Sequence, residues 1–237
     1  MHRSFVALVS LAVLGVAVAV SGREGPAEGL QVGFAAADVT PTVDPKGKPV
    51  YLAGFGSNRR ATGVHDPLFA RAVVFRDRGT RVAFVSVDVV GLFHDLVERV
   101  RKRLPGFTHV CVSSTHNHEG PDTMGLWGAS PLQSGVDPDY LAVVERRIVE
   151  AVRAADAAAQ PATARIGSVA LPELLHDGRL PIVKHDDLVA LVVRRTKDDR
   201  PAGLVVQWNC HPETLDSRNT LVSADYVGYT VKHLRER

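Results

Sequence analysis

An apolar run that ends in two histidines is the sequence feature that most constrains the fold of this chain. The run is Val110 to Thr123, VCVSSTHNHEGPDT, and its first half predicts a strand that Gly120 and Pro121 end. Side chains two apart in an extended backbone point to the same side, so we expect His116 and His118 to direct their imidazoles at one point, as metal ligands do. Two loop histidines that bind nothing are an equally good interpretation of a His-x-His pair taken alone.

A second apolar run leads into a third histidine. GLVVQWNC, residues 203–210, is followed directly by His211-Pro212-Glu213, where the proline stops the strand. Because two apolar strands both end in histidine, we predict that His116 and His211 share one metal position and that His118 faces the same cavity. Structural or surface positions are predicted for six further histidines, which are His65, His94, His109, His176, His185 and His233.

The segments around these runs alternate between strand and helix patterns. FARAVVF and RVAFVSVDVV, on either side of a turn at Asp77–Thr80, predict a hairpin. Residues 92–104 have the apolar spacing of a helix and precede the first histidine-bearing strand, so strand, helix and strand form a predicted parallel crossover. Asp137 and Pro138 predict the N-cap and first residue of a second, longer helix.

Four short extended pieces follow that helix, at residues 163–170, 180–183, 187–195 and 203–210, and the turn residues between them favour antiparallel pairs. Together the elements predict an α/β fold, with a mixed β-sheet or two sheets flanked by helices.

Three features are open to two interpretations each. Asp88, near the end of an apolar strand, either caps the following segment or hydrogen-bonds a histidine. Gly54 and Gly56 lie beside aromatic residues and either let the backbone approach a ligand or form a plain turn. Cys111 and Cys210 are compatible with one disulfide in an exported protein or with two small apolar thiols.

The N-terminal segment predicts an export signal. A charged start and an apolar run from Phe5 to Val20 precede small residues at 17–19, the pattern that a signal peptidase reads. The run is shorter than the roughly 20 residues of a membrane span, which favours a cleaved signal over an anchor. We therefore expect residues 1–22 to be a signal peptide, residues 23–29 a linker and residues 30–237 the folded domain, located outside the cytoplasm as a secreted or periplasmic protein.

The charge balance excludes one class of partner. The formal net charge is +2, and no cluster of Lys and Arg is interleaved with aromatic residues. We therefore predict no nucleic-acid partner, and expect the partner to be a small molecule or a lipid.

Several stretches together resemble one family. SSTHNHEGPDT resembles the SxTHTHSGP stretch of the neutral (non-lysosomal) ceramidases, and CHPETL and LVSADYVGY resemble their HPTSM and ISGDNKGY stretches. AADVTP, LAGFG, RAVVF, VAFVSVDVV and GRLP resemble further stretches of the family in the same order. The resemblance covers most of residues 31–231.

This resemblance implies a fold, a metal and site residues. The chain would be the N-terminal part of a ceramidase-type α/β catalytic domain, incomplete as given. Zinc (Zn2+) would be bound by His116 and His211, with a glutamate and a tyrosine that fall beyond Arg237. His118 and Arg179 would contact the amide region of the substrate.

The chemistry of the residues agrees with the implied function. A zinc ion held by neutral imidazoles, with an open position, lowers the pKa of bound water, and an arginine near the carbonyl oxygen stabilises developing negative charge. We expect a zinc-dependent amidohydrolase that cleaves ceramide to a sphingoid base and a fatty acid, or cleaves a related small-molecule amide. Contact with a membrane surface would be peripheral.

Two other hypotheses about the function stay open. Glu119 and Asp122 stand where the family stretch has serine and glycine, which favours another metal-dependent amide or ester hydrolase on the same scaffold. An inactive truncated fragment is the third reading, because two imidazoles alone would hold zinc weakly.

Overall fold

The computed structural model describes residues 29–236, so the predicted signal peptide and nearly all of the predicted linker lie outside the described residues. The described chain contains nine strands and three α-helices. The strands are β1 (Gln31–Asp38), β2 (Gly63–Val64), β3 (Phe69–Asp77), β4 (Thr80–Val87), β5 (His109–Ser114), β6 (Gln160–Ala170), β7 (Asp187–Arg195), β8 (Pro201–Gln207) and β9 (Leu221–Val222). The helices are α1 (His94–Lys102), α2 (Pro138–Ala157) and α3 (Asp225–Arg235), and a short 3₁₀ helix covers Pro172–Leu174.

Seven strands form one mixed sheet, in the order β5-β4-β3-β1-β6-β7-β8. Only β4 and β5 run parallel in this sheet, and α1 is the crossover between them. The remaining neighbours are antiparallel. Strands β2 and β9 form a separate parallel pair. The predicted mixed sheet flanked by helices is therefore confirmed.

The predicted hairpin is formed by β3 and β4, which pair from Ala70 opposite Val87 to Asp77 opposite Thr80. The two residues of its turn, Arg78 and Gly79, both have positive φ, of 44° and 84°. This backbone matches the type I′ turn, whose twist suits a two-residue hairpin loop.

The main core lies between the sheet and the helices α1 and α2. Helix α2 begins as predicted: Pro138 is its first residue, and the N-cap Asp137 accepts a hydrogen bond from the backbone N–H of Asp139. Its buried face includes Val144 and Ile148, which are fully buried in the cluster that also contains residues of β3, β4 and β5. Strand β5, which leads into the first two histidines, is thus fixed to the core.

Three local expectations were wrong in detail. Residues 180–183, predicted as a strand, lie in a loop between the 3₁₀ helix and β7. Strand β8 ends at Gln207, so His211 follows the strand by four residues rather than ending it. Asp88 neither caps a helix nor contacts a histidine; it accepts hydrogen bonds from the side chain of Arg71 and the backbone of Phe69 on the neighbouring strand.

In residues 29–236, no helix combines the length and the apolar character needed to cross a lipid bilayer.

The packing of α2 yields a stability prediction. Replacing Ile148, which is fully buried, with alanine leaves a cavity, and we expect a loss of about 2–5 kcal/mol in the free energy of unfolding. The matched control is Ile166→Ala, because Ile166 is 62% exposed on β6 and its loss should change the free energy by less than about 0.5 kcal/mol. Urea unfolding measures the free energy of unfolding of both variants. Equal effects of the two substitutions would contradict the placement of the core.

Candidate metal centre

Three imidazoles lie together in the structure: those of His116, His118 and His211. One ring nitrogen from each lies within 4.8 Å of the others. The ring centroids of His118 and His211 are 4.4 Å apart, those of His116 and His211 are 4.7 Å apart, and those of His116 and His118 are 5.1 Å apart. The chain thus brings together the three histidines that the sequence selected as candidates.

The parallel pairing of β4 and β5 continues past both strands and holds the first histidine. The backbone N–H of Thr115 donates to Val87 at 2.9 Å, and that of Asn117 donates to Val89 at 3.2 Å. The ring Nδ1 of His116 lies 2.7 Å from the carbonyl oxygen of Val90. A carbonyl oxygen only accepts, so Nδ1 carries a proton, and in the neutral tautomer the free lone pair is on Nε2. The backbone that follows β4 therefore selects the tautomer of His116.

The backbone of His116 is not extended, contrary to the sequence argument. Its φ is +63°, in the left-handed region that non-glycine residues rarely adopt. Asn117, fully buried, stabilises this turn: its Nδ2 donates to the carbonyl oxygen of Ser223 at 2.7 Å, and its Oδ1 accepts from the backbone N–H of Glu119 at 3.1 Å. The two imidazoles therefore meet because of a tight turn, not because of strand alternation.

Gly54 makes room for the second histidine. Its φ is +92°, and a Cβ at this position would lie 2.1 Å from the Cγ of His118. The ring of Phe55 packs edge-on against His118 at 5.0 Å between centroids. Of the two interpretations of this glycine pair, close approach is correct for Gly54, although the group approached is a histidine ring. Around Gly56 an added Cβ would meet nothing within 4 Å.

The segment that carries the third histidine is held on both sides by the start of α3. The hydroxyl of Tyr226 donates to the carbonyl oxygen of Cys210 at 2.6 Å. The buried carboxylate of Asp225 accepts from the hydroxyl of Thr214 at 2.6 Å and from the backbone N–H of Leu215 at 3.2 Å. His211 lies between these two attachments, so α3 fixes the segment against the first two histidines.

A backbone hydrogen bond joins the two halves of the site directly. The N–H of His118 donates to the carbonyl oxygen of Pro212 at 3.3 Å, and Pro212 itself is buried. The residue after it, Glu213, places its Oε2 3.0 Å from Nδ1 of His211 and 3.5 Å from Nδ1 of His118. The sequence argument missed this carboxylate, although its position two residues after a candidate ligand was a usable signal.

The charge state of the buried histidine suits a metal ligand or a proton acceptor. Burial lowers the pKa of His118 to about 4, with further lowering from His211 and His116, so this imidazole is neutral at pH 7. Its Nδ1 is buried without a hydrogen-bond partner. Neutral imidazole is the form of histidine that binds metal ions, and a cluster of three histidines fits a zinc ion.

A buried ion pair lies behind the His116–His118 turn. Arg59 donates from Nη1 to Oε2 of Glu119 at 2.8 Å, and Asn219 donates from Nδ2 to the same oxygen at 2.7 Å. Nη2 of Arg59 also bonds the carbonyl oxygens of Ala53 and His118. Burial raises the pKa of Glu119, while Asn219 and Arg59 act in the opposite direction. Glu119 is fully buried in this network, so its role is to hold the turn.

Asp122 also has a structural role. Its two oxygens accept four backbone hydrogen bonds, at 2.7–3.0 Å, and the residue is 1% exposed. The donors belong to the loop that follows it, and they are the N–H groups of Met124, Gly125, Trp127 and Gly135. Asp122 therefore folds this loop.

Arg179 lies on the exposed loop between the 3₁₀ helix and β7. Its backbone N–H donates to Asp177 at 3.0 Å, and within the described chain its side chain forms no hydrogen bond with the three histidines. The same loop contacts the third-histidine segment farther along, because Nδ2 of Asn209 donates to the carbonyl oxygen of His185 at 3.3 Å. The loop is thus tied near the site, while Arg179 itself is not part of the cluster.

The cysteines and other histidines lie outside this cluster. Cys111 and Cys210 are both free thiols, so of the two interpretations the disulfide is not formed in this structure. His65 pairs with Asp66 at 2.8 Å. His185 is bonded to Asn209, as a structural histidine is expected to be.

The contact between Gly54 and His118 yields a prediction with an internal control. Gly54→Ala would force the His118 ring to move and would strain the backbone, so we expect zinc affinity to fall roughly 10–100-fold, the range for groups that orient ligands. Gly56→Ala, two residues away in open space, should leave the affinity unchanged. Zinc titration against a chelating indicator gives both values. An unchanged affinity in Gly54→Ala would show that the position of His118 does not affect the metal.

The Arg59–Glu119 pair yields a stability prediction. Glu119→Ala leaves the guanidinium of Arg59 buried without its carboxylate, and we expect a loss of about 3–5 kcal/mol in the free energy of unfolding. Glu173→Ala, at an exposed position, is the control and should leave the urea midpoint unchanged. If Glu119→Ala unfolded at the wild-type midpoint, the pair would not hold the turn.

The comparisons with a family model and with known proteins all point to one family. The N-terminal model of the neutral/alkaline non-lysosomal ceramidases matches residues 30–175, a range that contains His116 and His118 but not His211. A neutral ceramidase of Mycobacterium tuberculosis is 27% identical over 229 residues, covering 86% of this chain and 35% of that protein. A neutral ceramidase of Drosophila melanogaster is 35% identical over 102 residues, which are 38% of this chain and 14% of that protein.

Solved structures give the same fold. The crystal structure of neutral ceramidase from Pseudomonas aeruginosa superposes with a TM-score of 0.70 at 22% identity, covering 86% of this chain and 35% of that one. A structure described as ceramidase complexed with C2 superposes with a TM-score of 0.71 at the same identity and coverage. The chain thus spans about a third of the length of the bacterial relatives it matches. Because the family model covers more than half of the sequence, the chain belongs to the neutral/alkaline non-lysosomal ceramidase family.

Proposed function

We propose that this chain provides the metal centre of a ceramidase-type hydrolase that cleaves the amide bond of an N-acyl lipid, and that zinc is the metal. The cluster of His116, His118 and His211 is the observation that carries the proposal. Family membership supports the type of reaction, since the relatives are named neutral ceramidases. An export signal in residues 1–22 is part of the proposal.

The residues of the cluster fit a zinc ion in donor type and in the nitrogen atoms that they leave free. His116 presents Nε2, because its Nδ1–H is bonded to Val90. His211 has Nδ1 turned to the carboxylate of Glu213, which likewise leaves Nε2 for a metal. A bound zinc ion would lower the pKa of a water molecule and polarise the carbonyl of the amide. We therefore assign His116 and His211 as ligands.

His118 is assigned to the substrate side of the same centre. It is neutral at pH 7 and its buried Nδ1 has no hydrogen-bond partner, so it can accept a proton or a hydrogen bond from a group beside the metal. The ring is held by Gly54 and Phe55 and by its backbone contact with Pro212. The ring of His118 is thus fixed in position, and its Nδ1 has no hydrogen-bond partner.

Arg179 is proposed to contact the carbonyl oxygen of the substrate. Its exposed loop is tied through His185 to Asn209, two residues before His211. A guanidinium keeps its positive charge at neutral pH and would stabilise the developing oxyanion. Reaching the substrate requires the loop to fold over the three histidines.

Two buried carboxylates bear on the choice between this hydrolase and a different one. The argument for a different hydrolase rested on Glu119 and Asp122, two departures from the family stretch. Both side chains are buried and bonded to neighbouring protein groups, Glu119 to Arg59 and Asp122 to four backbone N–H groups. The N-acyl lipid amide is therefore the substrate class that we propose.

Metal binding and turnover are tested separately. For binding, zinc is titrated into the full chain and into His116→Ala, His211→Ala and the control His94→Ala, a surface histidine of α1. We expect one zinc per chain, and a loss of affinity greater than about 100-fold in the first two variants, because removing a ligand exceeds the effect of removing an orienting group. The control should bind as the wild type does.

For turnover, hydrolysis of a fluorogenic N-acyl lipid amide is measured with and without zinc, beside Arg179→Ala. Activity that depends on zinc and falls in Arg179→Ala supports the proposal in full. Zinc binding without turnover would contradict the hydrolase activity of this chain and support the inactive-fragment reading. Equal affinity in His94→Ala and His116→Ala would contradict the metal centre itself.

A further inference from the structure

Glu213 is a carboxylate at the metal-binding histidines to which neither the family resemblance nor the ligand assignment gives a role. Its Oε2 is 3.0 Å from Nδ1 of His211 and 3.5 Å from Nδ1 of His118. The HPTSM stretch that resembles this segment has threonine, not a carboxylate, at the corresponding position. The feature therefore belongs to this chain's own residues.

The backbone around Glu213 fixes this contact. Its N–H donates to the carbonyl oxygen of His211 at 3.1 Å, and its carbonyl oxygen accepts from Asp216 at 3.3 Å. The preceding residue, Pro212, is buried and accepts from the backbone of His118. The carboxylate thus stands on a hydrogen-bonded turn that begins at His211 and that the backbone N–H of His118 also contacts.

The position of the carboxylate favours an orienting role over a ligand role. One nitrogen from each of the three histidines falls within a single 4.8 Å group, which does not include an oxygen of Glu213. Its nearest contact is instead Nδ1 of His211, at 3.0 Å, which leaves Nε2 of that ring for a metal. A carboxylate that accepts from Nδ1–H fixes the tautomer of a histidine, holds its ring and makes Nε2 a stronger donor to a metal.

We propose that Glu213 is a positioning residue of the metal centre, whose carboxylate orients His211 for a divalent cation bound through Nε2 of that ring. It would do for His211 what the carbonyl of Val90 does for His116. The inference rests on the proposed metal centre. It adds a group that holds the ring of His211 in position to bind the metal. Because Glu213 is exposed on its outer side, its substitution should not disturb the core.

The test uses zinc and cobalt as probes on the full chain. Zinc dissociation constants are measured by competition with a chelating indicator for wild type, Glu213→Gln, Glu213→Ala and the control Glu173→Gln, which removes the same charge from an exposed position. We expect a loss of roughly 10–100-fold for Glu213→Ala, a smaller loss for Glu213→Gln, whose amide oxygen still accepts from Nδ1–H, and no loss for Glu173→Gln.

Two further readouts separate positioning from other roles. The unfolding midpoint of the metal-free protein should be the same in all four proteins, since the carboxylate acts on the histidines and not on the core. The visible absorption bands of the cobalt-loaded protein should keep their positions in Glu213→Gln, because the ligand set is unchanged. Both results together with the affinity loss support the inference.

Each other outcome overturns it. Unchanged zinc affinity in Glu213→Ala would show that the carboxylate does not orient the ligands. Displaced cobalt bands in Glu213→Gln would make Glu213 a ligand rather than a positioning residue. If wild type and His116→Ala bound zinc equally poorly, the metal centre itself would fail, which is distinguishable from a failure confined to Glu213.

Discussion

The candidate site depends on the parallel pairing of β4 and β5. Parallel strands end at the same edge of a sheet, and here the hydrogen bonds continue past the strand ends through the carbonyls of Val87 and Val89. The next carbonyl, that of Val90, accepts from the His116 ring instead of from a backbone N–H. The sheet and the residues that follow it therefore set both the location of the first histidine and its tautomer, which is why the candidate metal centre lies at this edge.

The rest of the site is brought to that edge by contacts between distant parts of the chain. Helix α3 attaches to the His211 segment on both sides, and Asn117 bonds the carbonyl of Ser223 just before this helix. Glu119 is bonded both to Arg59 and to Asn219, so the buried Arg59–Glu119 pair links the His116–His118 turn to the segment just before β9. Removing one of these buried groups would leave its partners without hydrogen bonds, so we expect the geometry of the histidines to be coupled to the folding of α3.

Much of this arrangement could be predicted from local patterns. The hairpin of β3 and β4, the capped start of α2 and the selection of three histidines all follow from short-range signals, because alternation, Asp-Pro caps and strand-terminating Gly or Pro act within a few residues. The positive φ of His116 could not be predicted, since it is stabilised by Asn117 and a partner more than 100 positions away. The burial of Glu119 and Asp122 could not be predicted either, because the sequence does not show which carboxylates are buried among hydrogen-bond donors.

An anomalous difference map, collected at the zinc absorption edge from crystals grown with zinc, tests the central claim most directly. The account predicts one strong peak at an ordinary zinc–nitrogen distance, about 2.0–2.1 Å, from Nε2 of both His116 and His211, with the carboxylate of Glu213 on the far side of the His211 ring. A peak bound by other residues, or no peak between these two histidines at saturating zinc, would contradict it.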